Sequence, residues 1–286
     1  MENIIEVRDL VVKFGDFKAV DGMSFDVKEG EIFGFLGPNG AGKTTSIRAI
    51  TTLQQFESGS VRVGGYDIRT DYLEARKLIG ISQQNISLDK DLTIRQNLKH
   101  HAIMHKLPWK DLDRIVNETA HILELDEFMD HKVMSLSGGW KRKASIICAI
   151  IHEPKILLLD EPTAGLDTRS RYMLWDLVRM LNSRGTTIFL TTHYIDEAES
   201  LCNRVAIIDS GKLVTLGTVD ELKGKVGKVT VETSHDDGKR RVEYFPDIDS
   251  AKEFSHTLGD KMYNIRATTL EDVFLEITND KGVKSP

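Results

Sequence analysis

Gly37-Pro38-Asn39-Gly40-Ala41-Gly42-Lys43-Thr44 follows the apolar run Ile32-Phe33-Gly34-Phe35-Leu36 and precedes a segment of helical pattern over residues 44–53. The spacing is G-x-x-x-x-G-K-T with a strand before it and a helix after it, the context in which a glycine loop closes its backbone amides around phosphate oxygens. The helix N-terminus adds a favourable dipole for the anion. Lys43 is placed to reach the β- and γ-phosphates, and the Thr44 hydroxyl to face a magnesium ion. A nucleotide site is therefore the first expectation, and it fixes an α/β class of fold.

Upstream, residues 4–13 and 18–27 read as strands, with a turn at Lys28-Glu29-Gly30. From about Asp91 the pattern turns helical: Leu92, Ile94, Leu98, then Leu112, Ile115, Val116, Ile122 and Leu123, an α-helical insert over about 88–151. Strands return at 156–160 and 186–191, separated by an amphipathic helix with the stripe Met173, Leu174, Leu177, Val178 and Leu181 and with Gly185 to stop it. Repeated strand, helix and strand units predict a parallel sheet whose site lies at the carboxyl ends of the strands. Both the glycine loop and Asp160 fall there.

Composition sets the remaining bounds. The 286 residues carry 38 basic against 44 acidic side chains, a net charge of −6, so no general field holds nucleic acid or an anionic bilayer and nucleic acid is not an expected partner. Two cysteines, Cys148 and Cys202, are too few for a disulfide framework and suit a reducing cytosol. The longest apolar runs, 144–151 and 156–159, fall far short of the roughly 20 residues that span hydrocarbon. No secretory signal follows Met1-Glu2-Asn3.

Two further motifs bear on chemistry. Ile156-Leu157-Leu158-Leu159-Asp160-Glu161 is an apolar strand ending in two carboxylates: Asp160 can organise Mg²⁺, and Glu161 can orient or deprotonate an attacking water. Leu136-Ser137-Gly138-Gly139-Trp140 opens a helix; it reads either as a second anion-binding terminus or as an ordinary serine N-cap.

The order of these motifs, with Gln84, Ala164-Gly165-Leu166-Asp167 and Thr191-Thr192-His193, resembles the nucleotide-binding subunit of ATP-binding cassette transporters over roughly residues 4–217. The resemblance implies an ATPase with ATP and Mg²⁺ as ligands. The fold it implies has a mainly parallel P-loop NTPase core, an N-terminal antiparallel β subdomain, the helical insert and a small C-terminal α+β appendage. Two subunits would sandwich two ATP molecules head to tail, so Ser137, Gly138 and Gly139 would act in trans on nucleotide held by Gly37 to Thr44 and Thr45 of the other chain. Gln84 would meet magnesium and water, His193 the γ-phosphate and the catalytic carboxylate, and Phe14 would stack on adenine. Asp167 falls in the segment that crosses the dimer interface. Catalysis would then rest on Glu161, His193, Gln84 and Lys43, and the metal on Thr44, Gln84 and Asp160. The motor would drive a separate membrane permease from its cytoplasmic face.

This sequence departs from the family at two points. Trp140 stands where glutamine usually follows the two glycines, and no proline precedes Gln83-Gln84, so either glutamine could serve, with register after Gly80 favouring Gln84. Lys141, Arg142 and Lys143 read as a solvated helix face, although Arg142 matches a family arginine that could strengthen the field near the trans site. His101 and His105 have i, i+4 spacing but lack the glutamate and third ligand of a metal motif. A rival reading is a soluble cassette protein that remodels a cytosolic complex; against it stands the absence of long coiled-coil heptads.

After Gly217 the chain becomes more polar, and the expected pattern is two strands about a His235-Asp236-Asp237-Gly238 turn, then helix, strand and helix. This makes 218–286 an accessory domain beside a 1–217 ATPase domain. The final helix carries Leu270, Val273, Phe274 and Ile277, a stripe that needs a covering surface. Its Thr269-Leu270-Glu271-Asp272-Val273-Phe274-Leu275 resembles the tail of cassette subunits that serve drug, polysaccharide or ion exporters.

Overall fold

The computed structural model describes residues 2–234, 240–259 and 261–279, so the expected turn at His235-Asp236-Asp237-Gly238 lies outside the described residues. β1 (Asn3–Phe14) and β2 (Phe17–Lys28) form a hairpin whose register pairs Phe14 with Phe17 across Gly15 and Asp16. β3 (Ile32–Leu36) leads through the glycine loop into α1 (Lys43–Ile50), followed by β4 (Ser58–Val63), β5 (Tyr66–Asp67), α2 (Tyr72–Lys77) and β6 (Ile79–Ser82). The insert supplies α3 (Ile94–Met104), α4 (Leu112–Ile122) and α5 (Gly138–Ile150). Then come β7 (Ile156–Asp160), α6 (Thr168–Ser183), β8 (Thr187–Thr192), α7 (Ile195–Leu201), β9 (Arg204–Asp209) and β10 (Lys212–Thr218).

The central sheet has the order β10-β9-β3-β8-β7-β6, parallel except for the β9–β10 pair. β3, β7 and β8 are buried at every residue. That is why they read as unbroken apolar runs, since a parallel strand is covered on both faces. One face packs on the antiparallel sheet β2-β1-β4-β5 through Phe25, Phe33, Phe35 and Phe189, whose ring centroids lie 5.2–6.0 Å apart. α1 and α2 lie on that same side, with Ile47, Ile50 and Ala75 in its core, and the other face carries α3 to α7. In α6 the buried stripe is Leu174, Trp175, Leu177, Val178 and Leu181. Met173, expected in it, is only partly buried, because the larger Trp175 turns inward and its indole N–H donates to Glu197 Oε1 at 3.2 Å.

α3 starts at a capping box in which Thr93 and Gln96 satisfy each other's backbone N–H groups. Its Ile94 and Leu98 join Val116, Leu123 and Ile147 in the core that also covers the central sheet, so the insert and the sheet share one core. Gly34 keeps β3 close to the end of α7: a Cβ there would lie 2.6 Å from Cys202 Sγ.

The C-terminal region contains α8 (Val219–Val226), β11 (Val229–Ser234), β12 (Arg240–Phe245), α9 (Ile248–His256), β13 (Tyr263–Ala267) and α10 (Leu270–Asn279), with sheet order β12-β11-β13. The apolar stripe of α10 is covered by α7 and α8: Leu270 and Val273 are fully buried, and Phe274 and Ile277 pack against the same core. The Leu270 N–H donates to Glu199 Oε2 at 3.0 Å, and Glu199 also pairs with Lys223. Arg266 bridges Glu232 at 2.6 Å and both oxygens of Asp272 at 2.6 and 2.7 Å, tying the small sheet to α10.

Candidate functional site

The four central strands β3, β8, β7 and β6 lie side by side and end on one edge, where their loops meet in a cleft of about 570 Å³. Asn39, Gly40, Gly42, Lys43, Thr44, Thr45, Gln84, Glu161 and His193 line it. The glycines of the loop are there for different reasons. A Cβ on Gly37 would lie 2.5 Å from the Ile208 carbonyl oxygen, while Gly40 and Gly42 hold φ of 84° and 98°, in the left-handed range that disfavours side chains. Gly37, Pro38 and Ala41 are not among the residues that line the cleft: Ala41 packs into the core, and Gly37 and Pro38 give their carbonyls to Lys43. α1 opens on Gly42 with no side-chain cap, leaving its first N–H groups for an anion.

Lys43 is 4% exposed, and its ammonium donates to the carbonyls of Gly37 at 2.8 Å and Pro38 at 3.0 Å and pairs with Glu161 Oε1 at 3.2 Å. Thr44 Oγ1 donates to Asp160 Oδ1 at 3.2 Å, and Thr191 Oγ1 donates to the same oxygen at 2.7 Å. Thr44, Asp160 and Gln84 line a smaller recess that shares Thr44 and Gln84 with the cleft, and their side-chain oxygens form a set of hard donors there. Such a set suits a small divalent cation such as Mg²⁺.

Glu161 is where the loops converge. Its Oε2 accepts from Gln84 Nε2 at 3.3 Å and lies 3.2 Å from His193 Nδ1, while Oε1 faces Lys43. The residue holds φ of 47°, and its N–H donates to both the carbonyl and the hydroxyl of Thr191 at 3.1 Å. A non-glycine residue in the left-handed region costs about 1–3 kcal/mol, so the neighbouring strand must hold it there. Of the two glutamines, Gln84 gives its side chain to Glu161 and lines the main cleft, whereas Gln83 lines only the smaller recess next to Thr44 and Arg48, which it shares with Gln84.

Phe14, 51% exposed, stands on the rim of the cleft, and so does Phe17, 64% exposed, a residue the sequence reading missed. The available signal was the turn: a two-residue hairpin puts both flanking side chains on the same edge. Tyr194 completes the lining beside Ala164 and Gly165.

Ser137, Gly138 and Gly139 do not line this cleft. Ser137 caps α5, accepting from the Trp140 N–H at 3.5 Å. A Cβ on Gly139 would lie 2.5 Å from Ser170 Oγ, so this glycine also lets α5 approach the start of α6. There Asp167 caps α6 by accepting from Ser170 N–H at 3.0 Å and Ser170 Oγ at 2.7 Å, bonds that hold its carboxyl below the usual range.

The solvated face expected for 141–143 is not found. Lys141 is half-buried, and Arg142 and Lys143 are each 5% exposed. Arg142 donates to the carbonyls of Gln83 at 2.5 Å and Gln84 at 2.6 Å, and Lys143 lies 5.0 Å from the centre of the Trp140 ring. Burial lowers the pKa of both cations, with Asp160 opposing the effect at Arg142. Trp140 itself does not line the cleft and packs against Phe128, with ring centroids 4.0 Å apart and the planes tilted by 32°. His105 stacks on His152 at 3.6 Å, and burial brings His152 down to about 4.

Glu197 is wholly buried: Oε1 accepts from Thr163 Oγ1 at 2.9 Å and from Trp175 Nε1 at 3.2 Å, while Oε2 has no hydrogen-bond partner within bonding distance among the described residues. Burial raises its pKa.

Comparison with known proteins was consistent. The profile of the ABC transporter family matches residues 20–164. The Daunorubicin resistance ATP-binding protein DrrA3 of Streptomyces coeruleorubidus is 40% identical over 215 residues, 75% of this chain and 68% of that one. The Nod factor export ATP-binding protein I of Burkholderia thailandensis is 34% identical over 96% of both chains. Among solved structures, a dimeric ATP-binding cassette in a post-hydrolysis state with ADP and Pi superposes with a TM-score of 0.67, at 26% identity over 75% of this chain and 98% of that one.

Proposed function

The chain belongs to the ABC transporter family as its ATP-binding, ATP-hydrolysing subunit, and on that premise we propose that it powers a separate membrane permease in the export direction through a head-to-tail dimer. One observation carries the mechanism: Glu161 sits between Lys43, Gln84 and His193, beside the Thr44–Asp160 pair. Glu161 takes the proton of the attacking water, and Gln84 and His193 hold both in line. Lys43 leaves Glu161 for the β- and γ-phosphates, and the loop amides take the remaining negative charge. Thr44, Asp160 and Gln84 would hold Mg²⁺, which would supply charge neutralisation at the phosphates. Phe14 and Phe17 offer their rings to the base.

Ser137, Gly138 and Gly139 complete the partner's site. That they stand outside their own chain's cleft, and that a related cassette is dimeric, supports this reading. Export is supported by the relatives named for drug resistance and Nod factor export. Among the described residues no helix is long and apolar enough to cross a membrane. The passage is therefore assigned to another subunit, with this chain on its cytoplasmic face. Residues 1–217 form the ATPase domain, including the insert at 88–151, and 218–286 the accessory domain.

The test is the Glu161→Gln variant, which should bind ATP, fail to cleave it and accumulate as an ATP-dependent dimer by size-exclusion chromatography with light scattering. Adding Ser137→Arg should abolish the dimer by filling the trans cradle. Wild-type turnover in Glu161→Gln removes that residue from its role.

A further inference from the structure

Arg142 is a buried guanidinium with no carboxylate within ion-pair distance among the described residues; its two terminal nitrogens instead donate to the successive carbonyls of Gln83 and Gln84, at 2.5 and 2.6 Å. Burying a cation without a counter-charge is costly unless its hydrogen bonds are strong and specific. Here the planar fork fits two consecutive carbonyls, a geometry that an ammonium cannot reproduce. Pinning the carbonyls of Gln83 and Gln84 fixes the two peptide planes that flank the Gln84 Cα, and with them the direction in which the Gln84 side chain leaves the backbone. That side chain then meets Glu161 at 3.3 Å.

A second tether lies one turn farther along α5. Ser145 Oγ and Ser82 Oγ are hydrogen-bonded at 3.0 Å in the buried interior, so α5 holds the segment 82–84 at both ends. The same helix begins at Ser137, five residues before Arg142.

We infer that Arg142 is a positioning residue for hydrolysis: it sets Gln84 against Glu161 and makes the Gln84 loop move with α5. The inference rests on the assignment of Gln84 and Glu161 to the hydrolytic site. It gives α5 two ends with different duties, one facing the partner's nucleotide and one holding the chain's own glutamine. A γ-phosphate that draws on Ser137 in one site then reaches Gln84 of the other site through a single rigid helix.

The experiment is a cycle of Arg142→Gln, Gln84→Ala and the double variant in the full chain, with Arg142→Lys as the conservative partner. Steady-state ATP hydrolysis, Mg-free ATP binding and thermal unfolding are measured for each. Arg142→Gln should lower kcat by roughly 10- to 100-fold, the range expected when a catalytic group is displaced by about 1 Å, with ATP affinity within twofold. Arg142→Lys should recover part of the loss, and the double variant should be no slower than Gln84→Ala alone. Unchanged kcat in Arg142→Gln, or losses that multiply in the double variant, overturns the inference and leaves the site assignment standing. If Gln84→Ala keeps full kcat, the assignment of Gln84 fails and the inference falls with it. Should Arg142→Gln unfold, Arg142→Lys decides: a lowered kcat at native thermal stability supports the inference, and an unchanged one overturns it.

Discussion

Glu161 gives Lys43 its anionic partner, and Glu161→Gln therefore has a consequence for stability as well as for turnover. The Lys43 ammonium is almost wholly buried and has three partners: the carbonyls of Gly37 and Pro38, and Glu161 Oε1 at 3.2 Å. Glutamine keeps the shape and an accepting oxygen but removes the charge. At an effective dielectric of about 20, two charges 3.2 Å apart attract by about 5 kcal/mol. Relief of the carboxylate's own desolvation and the two carbonyls that remain on Lys43 offset more than half of this, leaving a net loss of about 2 kcal/mol. For a chain of 286 residues that lowers Tm by about 3–4 °C. Mg-free ATP restores an anion to Lys43, so the gap between variant and wild type should close when both are saturated. ATP affinity of the variant should rise on the order of tenfold, because Lys43 no longer has to leave a carboxylate. Differential scanning calorimetry with and without ATP, alongside equilibrium binding, gives both numbers. An apo Glu161→Gln protein as stable as wild type, with unchanged affinity, would refute the account of this pair.

Two other outcomes follow from single contacts. Trp140→Gln removes the ring contact with Phe128 and the cover of Lys143, and should cost about 1–3 kcal/mol in urea unfolding while Mg-free ATP affinity of the monomer stays within twofold. Glu197→Gln keeps an oxygen for Thr163 and Trp175. Burial raises the Glu197 pKa, so the folded state holds its proton more tightly than the unfolded state, and the wild type is favoured most below about pH 4.5 and loses stability as pH rises through the folded value. The Tm of Glu197→Gln should accordingly gain on wild type as pH rises above about 4.5, and a pH-independent difference would contradict the assignment.

Much of this was legible in the chain because its signals are local. β3, β7 and β8 are buried on both faces and so read as apolar runs, and the loop from Gly37 to Thr44 declares itself by spacing alone. The polar residues that meet at Glu161 each follow a strand of one parallel sheet, so strand order in space was enough to bring them together. What was missed depended on partners remote in sequence. Arg142 and Lys143 look solvated because charge usually is: nothing near Arg142 in the chain announces the carbonyls of Gln83 and Gln84, while the ring of Trp140, three residues before Lys143, is a local signal that the charge run obscures. Trp175 displaced Met173 from the α6 stripe because Glu197, 22 residues away, accepts its N–H. The α10 stripe predicted a cover without naming it; α7 and α8 provide one.

Cys202, tucked against Gly34 at the end of α7, and Cys148, inside α5, are both buried free thiols, and burial raises the pKa of each. Thiolate is the reactive form, so the folded chain is nearly silent to alkylating reagents. Each cysteine is then a timer for a different opening event: alkylation at Cys202 clocks the departure of α7 from β3, and alkylation at Cys148 clocks the loosening of α5. Mass spectrometry of the two labelled peptides would show whether these helices open together or in sequence. A reporter cysteine placed on the surface could be labelled without interference from either.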